Sequence, residues 1–175
     1  MEADTSRKFS PSKLDTYKNC PRRYQYRYVD GIKRRERSAE AFLGTMVHSV
    51  LEDLYGGLQK GRRLSLEDAL KLFERNWKRD WGDDIVIRDK QAEPADYKRL
   101  GRECLAAYYE ANSPFDRDKT VEVEKRIGFP LEAGGVSYLI EGFIDRLSLA
   151  KDGAFEIHDY KTSRSLPTQE HADSD

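Results

Sequence analysis

Two aspartates, Asp145 and Asp159, stand 14 residues apart, and Lys161 follows two positions after the second. Carboxylates are hard oxygen donors for a divalent cation, and an ammonium beside them steadies negative charge or orients a water. The surrounding stretch, GFIDRLSLAKDGAFEIHDYKT, reads as two strands joined by Lys151-Asp152-Gly153, because Asp-Gly between apolar runs favours a hairpin. Folding it brings both carboxylates to one end of a sheet. Side chains two apart on a strand share a face, so Asp159 and Lys161 point one way and Tyr160 the other. The set suits a divalent metal and a water to be activated.

The elements that position these groups change period along the chain. Ser10-Pro11-Ser12 opens a helix with a hydroxyl cap and a proline at the first turn, with Leu14 and Tyr17 as a short apolar stripe. Pro21 restarts the chain into a second helix, where Arg22-Arg23-Tyr24-Gln25-Tyr26-Arg27-Tyr28 interleaves basic and aromatic side chains, and a basic loop runs from Gly31 to Arg37. From about Ala39 to Gly56, Leu43, Met46, Val47, Val50 and Leu54 recur at three- and four-residue spacing, the mark of a core-facing helix. Ser65 begins another helix, running to about Trp81, with Glu67 and Asp68 in its first turn. Pro94 starts a further one through Leu100, Cys104, Leu105 and Tyr108, ending before Ser113-Pro114.

After that the pattern alternates. Thr120 to Leu131, Val136 to Leu149 and Phe155 to Thr162 read as three strands joined at Gly134-Gly135 and Asp152-Gly153. The expected fold is α+β: residues 1–113 mostly helical, residues 118–162 a three-stranded β-meander carrying the site, all within one domain over 1–175. The remaining stretch, 163–175, is polar and turn-like, and a three-stranded sheet needs its edges and second face managed. The expectation is a domain that continues past Asp175.

Composition sets looser limits. A charged fraction of 36% and no apolar run near the roughly 18 residues of a span argue against a membrane protein. The first residues, MEADTSRKF, hold no apolar stretch of the signal-peptide kind. Two cysteines, Cys20 and Cys104, make no disulfide framework, so a reducing cytoplasm is the expected location. Net charge is −1, but residues 1–37 hold eleven Lys and Arg against five Asp and Glu. That asymmetry fits a protein acidic around a metal and basic where phosphate lies, and equally fits ordinary solvated surface.

Four segments occur in order: SPSKLDTYKNCPRRYQYRY, then Gly44-Thr45-Met46-Val47-His48 with Leu51-Glu52, then Gly142-Phe143-Ile144-Asp145-Arg146, then Asp159-Tyr160-Lys161-Thr162. In them the chain resembles the RecB-like nucleases of the PD-(D/E)XK superfamily. The resemblance implies a restriction-endonuclease-like α/β core, a mixed sheet flanked by helices, and a Mg²⁺-dependent DNA nuclease for which Mn²⁺ substitutes. It implies an exonuclease serving DNA repair or recombination, with DNA as substrate and a helicase, fused or separate, as partner. Asp145, Asp159 and the backbone oxygen of Tyr160 would be metal ligands. Lys161 would orient the attacking water or stabilise phosphorane charge; an ammonium near two carboxylates stays charged, which favours positioning over general-base work.

Other assignments stay double. A lone His on an amphipathic helix is ordinarily structural, whereas the resemblance makes His48 a metal- or phosphate-contacting residue, with Glu52 as its partner or as plain surface. The acidic ligand on the strand before the hairpin is Glu124 or, two residues earlier, Glu122. Arg146 should face away from the metal and pair with a carboxylate. Arg22, Arg23, Tyr24 and Arg27 either grip phosphates and stack on bases or simply pack and solvate the leader. Some relatives hold a [4Fe–4S] cluster through a leader cysteine, but two cysteines cannot form one from this chain alone. Gln169 precedes no Tyr at the spacing of the family's later Gln-x-x-x-Tyr motif, and no G-x-x-x-x-G-K-[ST] phosphate loop is present. The alternative to an enzyme is an inactive nuclease-fold module that binds DNA or a helicase; intact Asp145, Asp159 and Lys161 favour the enzyme.

Overall fold

A computed structural model describes residues 8–33 and 35–162. The stretch 163–175 with Gln169, the first seven residues and Arg34 of the basic loop lie outside the described residues. The architecture is α+β, with five α-helices and a mixed sheet among the described residues.

Capping chemistry sets the helix starts. Helix α1 (Pro11–Asn19) has Ser10 as its cap, the hydroxyl accepting from the Lys13 amide at 3.2 Å. Helix α3 (Ala39–Gln59) is capped by Ser38 and α4 (Leu66–Asp80) by Ser65, with Glu67 and Asp68 at its N-terminus and Lys78 and Arg79 at its C-terminus, as the helix dipole favours. Helix α5 (Pro94–Asn112) starts with a reciprocal box between Glu93 and Asp96. The second leader helix differs from expectation. Helix α2 covers only Pro21–Tyr24, and Gln25–Val29 widens into a π-turn closed by the Asp30 amide on the Gln25 carbonyl.

The core lies among α3, α4 and α5. All five residues of the expected α3 stripe are buried, and Leu43, Met46, Val47 and Val50 cluster with Phe42, Phe73, Trp77, Tyr97 and Leu105. On α5 the buried line is Tyr97, Gly101 and Leu105; of the expected Leu100, Cys104, Leu105 and Tyr108, Leu105 is buried and Leu100 and Tyr108 pack partly buried against the core. A Cβ at Gly101 would sit 2.4 Å from Phe73 Cζ and 2.7 Å from Leu43 Cδ1, so the glycine lets α5 seat against both helices. The α1 stripe is not buried: Leu14 and Tyr17 are exposed, and α1 touches the sheet at Gly142, near Pro11.

The sheet has four strands where three are expected. Its centre is β5 (Val136–Ala150), flanked on one side by β4 (Asp118–Ala133), antiparallel along its length. On its other edge β5 pairs with β1 (Lys8–Phe9), parallel at Leu139 and Ile140, and with β6 (Phe155–His158), antiparallel from Arg146 to Leu149. The extra strand comes from the leader, too short to show a period of its own. A separate parallel pair joins β2 (Arg37–Ser38) to β3 (Ile85–Val86). Strand β6 ends at His158, not at Thr162, because the Tyr160 amide donates to the Asp145 carboxylate at 2.7 Å and leaves the backbone ladder. Phe143, Phe155 and Ile157 are about two-thirds exposed (67%, 68% and 67%), an open apolar sheet surface.

Gly101→Ala tests the helical core. Alanine favours a helix interior by about 1 kcal/mol, but overpacking against a fully buried Phe73 costs about 1–3 kcal/mol. Urea unfolding should show a net loss of up to about 2 kcal/mol; a gain would mean that Phe73 and Leu43 repack freely.

Candidate metal centre

Three elements converge beside the end of β6. Helix α3 brings His48, the middle of β5 brings Asp145, and β4 brings Glu124; one ligand atom from each lies within 4.8 Å of the others. One turn before His48, Gly44 faces the chain that follows β6, and a Cβ there would lie 3.3 Å from the Thr162 hydroxyl. The glycine thus lets the segment after β6 lie against α3.

Glu124 arrives through irregular backbone. The β4–β5 register slips between Thr120 and Glu122, a bulge. Val123 pairs with Arg146 and Lys125 with Ile144, so Glu124 falls opposite Asp145. Its φ of 48° is in the left-handed region that a non-glycine residue seldom occupies, and such strain gathers at functional sites. Glu122 takes another course: its carboxylate accepts from Lys125 Nζ at 2.8 Å. The bulge lies just before Glu122, and it is the left-handed backbone at Glu124 that interrupts the alternation relating the two glutamates.

The hydrogen bonds orient the imidazole. Carbonyls only accept, so His48 Nε2 donates to the Tyr160 oxygen at 2.8 Å. Nδ1 then faces Asp145 Oδ2 at 3.5 Å. A neutral ring presents a lone pair to a carboxylate there, which is repulsive until a proton or a cation sits between them. The same Oδ2 accepts the Tyr160 amide, so one peptide residue binds two of the converging side chains. Burial, then the Asp145 and Glu52 charges, raise the Glu124 carboxyl above its ordinary value, with His48 pulling the other way. Glu52, one turn beyond His48, lines the same cleft of ≈ 640 Å³ as Glu124, Lys161 and Thr162.

These features fit a divalent cation. One imidazole nitrogen and two carboxylates form a mainly oxygen donor set, while the Tyr160 carbonyl, expected as a ligand, here accepts from His48 Nε2 on the far side of the ring. Opposed ligands about an ion with bonds near 2.1 Å lie about 4.2 Å apart, and the three ligand atoms here all lie within 4.8 Å of one another.

The remaining candidates lie elsewhere. Asp159 and Lys161 follow β6 with side chains mostly exposed (59% and 67%), and Lys161 Nζ lies 2.6 Å from Asp159 Oδ2. Asp159 is therefore outside the three-residue group, although it follows the last β5–β6 pair on the same chain as Tyr160. Arg146 points into the protein and pairs with Asp118 at 2.6 Å. In the leader, Tyr24 packs edge-on to Tyr17 and against Tyr28, Arg22 donates to the Tyr26 hydroxyl at 2.9 Å, Arg27 lies over Tyr28, and Arg23 is exposed. None of these four lines the cleft beside His48.

A second close group, Asp118, Glu156 and His158, has no counterpart in the sequence reading. The hairpin register could have found its strand pair, since His158 sits opposite Arg146. The Arg146 guanidinium already neutralises Asp118, while burial and Arg146 hold His158 below its ordinary value. The group is an ion-pair network in which the guanidinium already serves as the cation.

A family model described as the PD-(D/E)XK nuclease superfamily matches residues 8–175. The Gene 69 protein of Mycobacterium phage L5 is 34% identical over 73 residues, which cover 42% of this chain and 25% of that protein. The matched stretch is thus only a quarter of that relative's length. Among the described residues no helix is long and apolar enough to cross a membrane.

Glu124→Gln tests the electrostatics of the group. A raised carboxyl pKa means that the folded chain holds this proton more tightly than the unfolded one. The stability it contributes is complete below the ordinary Glu value and is lost as pH rises through the raised one. In EDTA at pH 7 the variant should therefore melt above wild type, by only about 1–2 °C given solvent screening. The difference should vanish near about pH 4, where glutamate is itself protonated. With a divalent ion added the order should reverse, because a ligand is gone. Identical melting profiles at every pH would remove Glu124 from the group.

Proposed function

Because the chain belongs to the PD-(D/E)XK nuclease superfamily, we propose that it is a divalent-metal-dependent deoxyribonuclease of the RecB-like kind, an exonuclease acting in DNA repair or recombination. The observation that carries this reading is the meeting of His48, Glu124 and Asp145 beside the Tyr160 carbonyl. Mg²⁺, or Mn²⁺ as substitute, would be held by those three side chains, with the Tyr160 carbonyl fixing the imidazole from its far side, and its charge would polarise the phosphodiester and a water.

The chain's own groups divide the rest of the work. His48 is oriented by its bond to the Tyr160 oxygen, so Nδ1 is aimed toward Asp145. Asp159 joins the centre by rotation of its side chain, which moves its carboxylate away from Lys161. The Lys161 ammonium then turns to the scissile phosphate and stabilises charge on its oxygens. The mostly exposed position of both side chains makes such a rearrangement sterically easy. Arg22, Arg23, Tyr24 and Arg27 lie on the leader, where a basic and aromatic surface favours phosphate contact and base stacking. A helicase, fused or separate, would supply the strand to be cut. The reading covers residues 1–175 as a single nuclease domain.

The test is cleavage of end-labelled linear single- and double-stranded DNA, beside closed circular controls, in Mg²⁺, Mn²⁺ or EDTA. Linear DNA should be degraded only with metal. Asp145→Ala and Asp159→Ala should each lower the rate by at least about a hundredfold, as loss of roughly 3 kcal/mol of transition-state stabilisation requires. Lys161→Ala should lower turnover while metal affinity stays near wild type. Cleavage in EDTA, or wild-type rates in both aspartate variants, would overturn the assignment. Metal binding with no cleavage of any substrate would favour a DNA- or helicase-binding module instead.

A further inference from the structure

Tyr160 is gripped at both ends by consecutive residues of one strand. Its amide donates to Asp145 Oδ2 at 2.7 Å, and its phenol oxygen accepts from Arg146 Nε at 3.1 Å. Its carbonyl, meanwhile, accepts from His48 at 2.8 Å. The ring lies nearly parallel to Tyr55 (12°) and edge-on to Tyr108 and His48. Burial pushes the Tyr160 phenol far above its ordinary value, so the hydroxyl stays neutral.

The Arg146 side of this grip is itself rigid. Arg146 is 2% exposed, its guanidinium lies 4.1 Å from the Tyr55 ring centre, and Asp118 accepts from Nη1 at 2.6 Å. A buried charge is tolerable only with its partners in place. Its direction is therefore set by the sheet and not by solvent. Since Asp145 and Arg146 are adjacent on β5, the two bonds hold both ends of Tyr160 to one strand, and its carbonyl position relative to His48 is set by how that strand sits against α3.

We infer that Arg146 is a positioning residue for the metal centre, acting through the Tyr160 hydroxyl to fix the carbonyl and amide that order His48 and Asp145. The inference rests on the proposed metal reading of that site. It assigns Arg146 a task beyond its ion pair with Asp118, and it assigns the Tyr160 side chain a task beyond packing.

The test uses the full chain and Mn²⁺ alone, followed by electron paramagnetic resonance, with steady-state cleavage as a second readout. Tyr160→Phe keeps the ring and removes only the hydroxyl. It should weaken Mn²⁺ binding about tenfold, the scale for groups that orient a metal ligand, and lower kcat with KM for DNA unchanged. In EDTA the amide at position 160 should also exchange its hydrogen faster. Tyr55→Phe is the control: it removes the 2.7 Å Tyr55–Tyr108 hydroxyl contact in the same cluster without touching the grip. It should lower Tm and leave Mn²⁺ affinity as in wild type. Wild-type Mn²⁺ affinity in Tyr160→Phe would overturn the inference while leaving the metal centre intact. Equal losses in the two variants would also overturn it, since general loosening would then suffice. Wild-type protein that binds no Mn²⁺ would instead sink the metal reading on which the inference stands.

Discussion

His48 on α3 donates to the carbonyl of Tyr160, and the amide of the same residue donates to Asp145 on β5. Through these two bonds a residue from an irregular segment joins the helical half of the molecule to the sheet at the site. A backbone amide and carbonyl normally pair within a ladder. Here the ladder stops at His158, and both groups of Tyr160 turn to side chains that would otherwise have nothing to fix their direction. The end of the strand and the order of the site have one cause.

The stability that makes this possible lies elsewhere. The buried apolar side chains belong to α3, α4 and α5, whereas the β4–β5 hairpin keeps many of its apolar side chains in contact with water. Asp145 and Glu124 bring like charges together, and Glu124 also holds an unfavourable φ. Each feature costs free energy in the metal-free chain, and neither is offset locally by burial. Helix α3 offsets them at a distance: its buried stripe anchors the same helix whose other side presents His48. Loss of core packing would displace the imidazole even where no site residue is touched.

The sequence made some of this legible and hid the rest for definite reasons. Caps at Ser10, Ser38 and Ser65 and the apolar stripe of α3 depend on local spacing, and local spacing can be read from the chain. The Asp-Gly hairpin likewise brought the Asp145 and Asp159 segments side by side. What spacing could not reveal is where the alternation fails. A bulge shifts β4 just before Glu122, and the left-handed φ of Glu124 interrupts the alternation that would relate the two glutamates. The two-residue β1 is too brief for any period, and its place beside β5 is set by tertiary contact alone. Gly101 was hidden for a different reason: the space it leaves is filled by Phe73 from another helix.

The Arg146 network shows how a strand can serve two needs with neighbouring side chains. Alternation sends Asp145 and Arg146 in opposite directions, one to the site and one into the Asp118–Tyr55 cluster. Most strands would use the inward position for an aliphatic residue, which packs well but carries no directional bond. A guanidinium costs more to bury, yet it points: one nitrogen goes to Asp118 and another to the Tyr160 hydroxyl. Because Tyr160 spans from that interior cluster to the cleft, directionality gained inside the protein is carried to its rim. An aliphatic residue at position 146 could fill the same space, but it could not specify where the Tyr160 carbonyl lies.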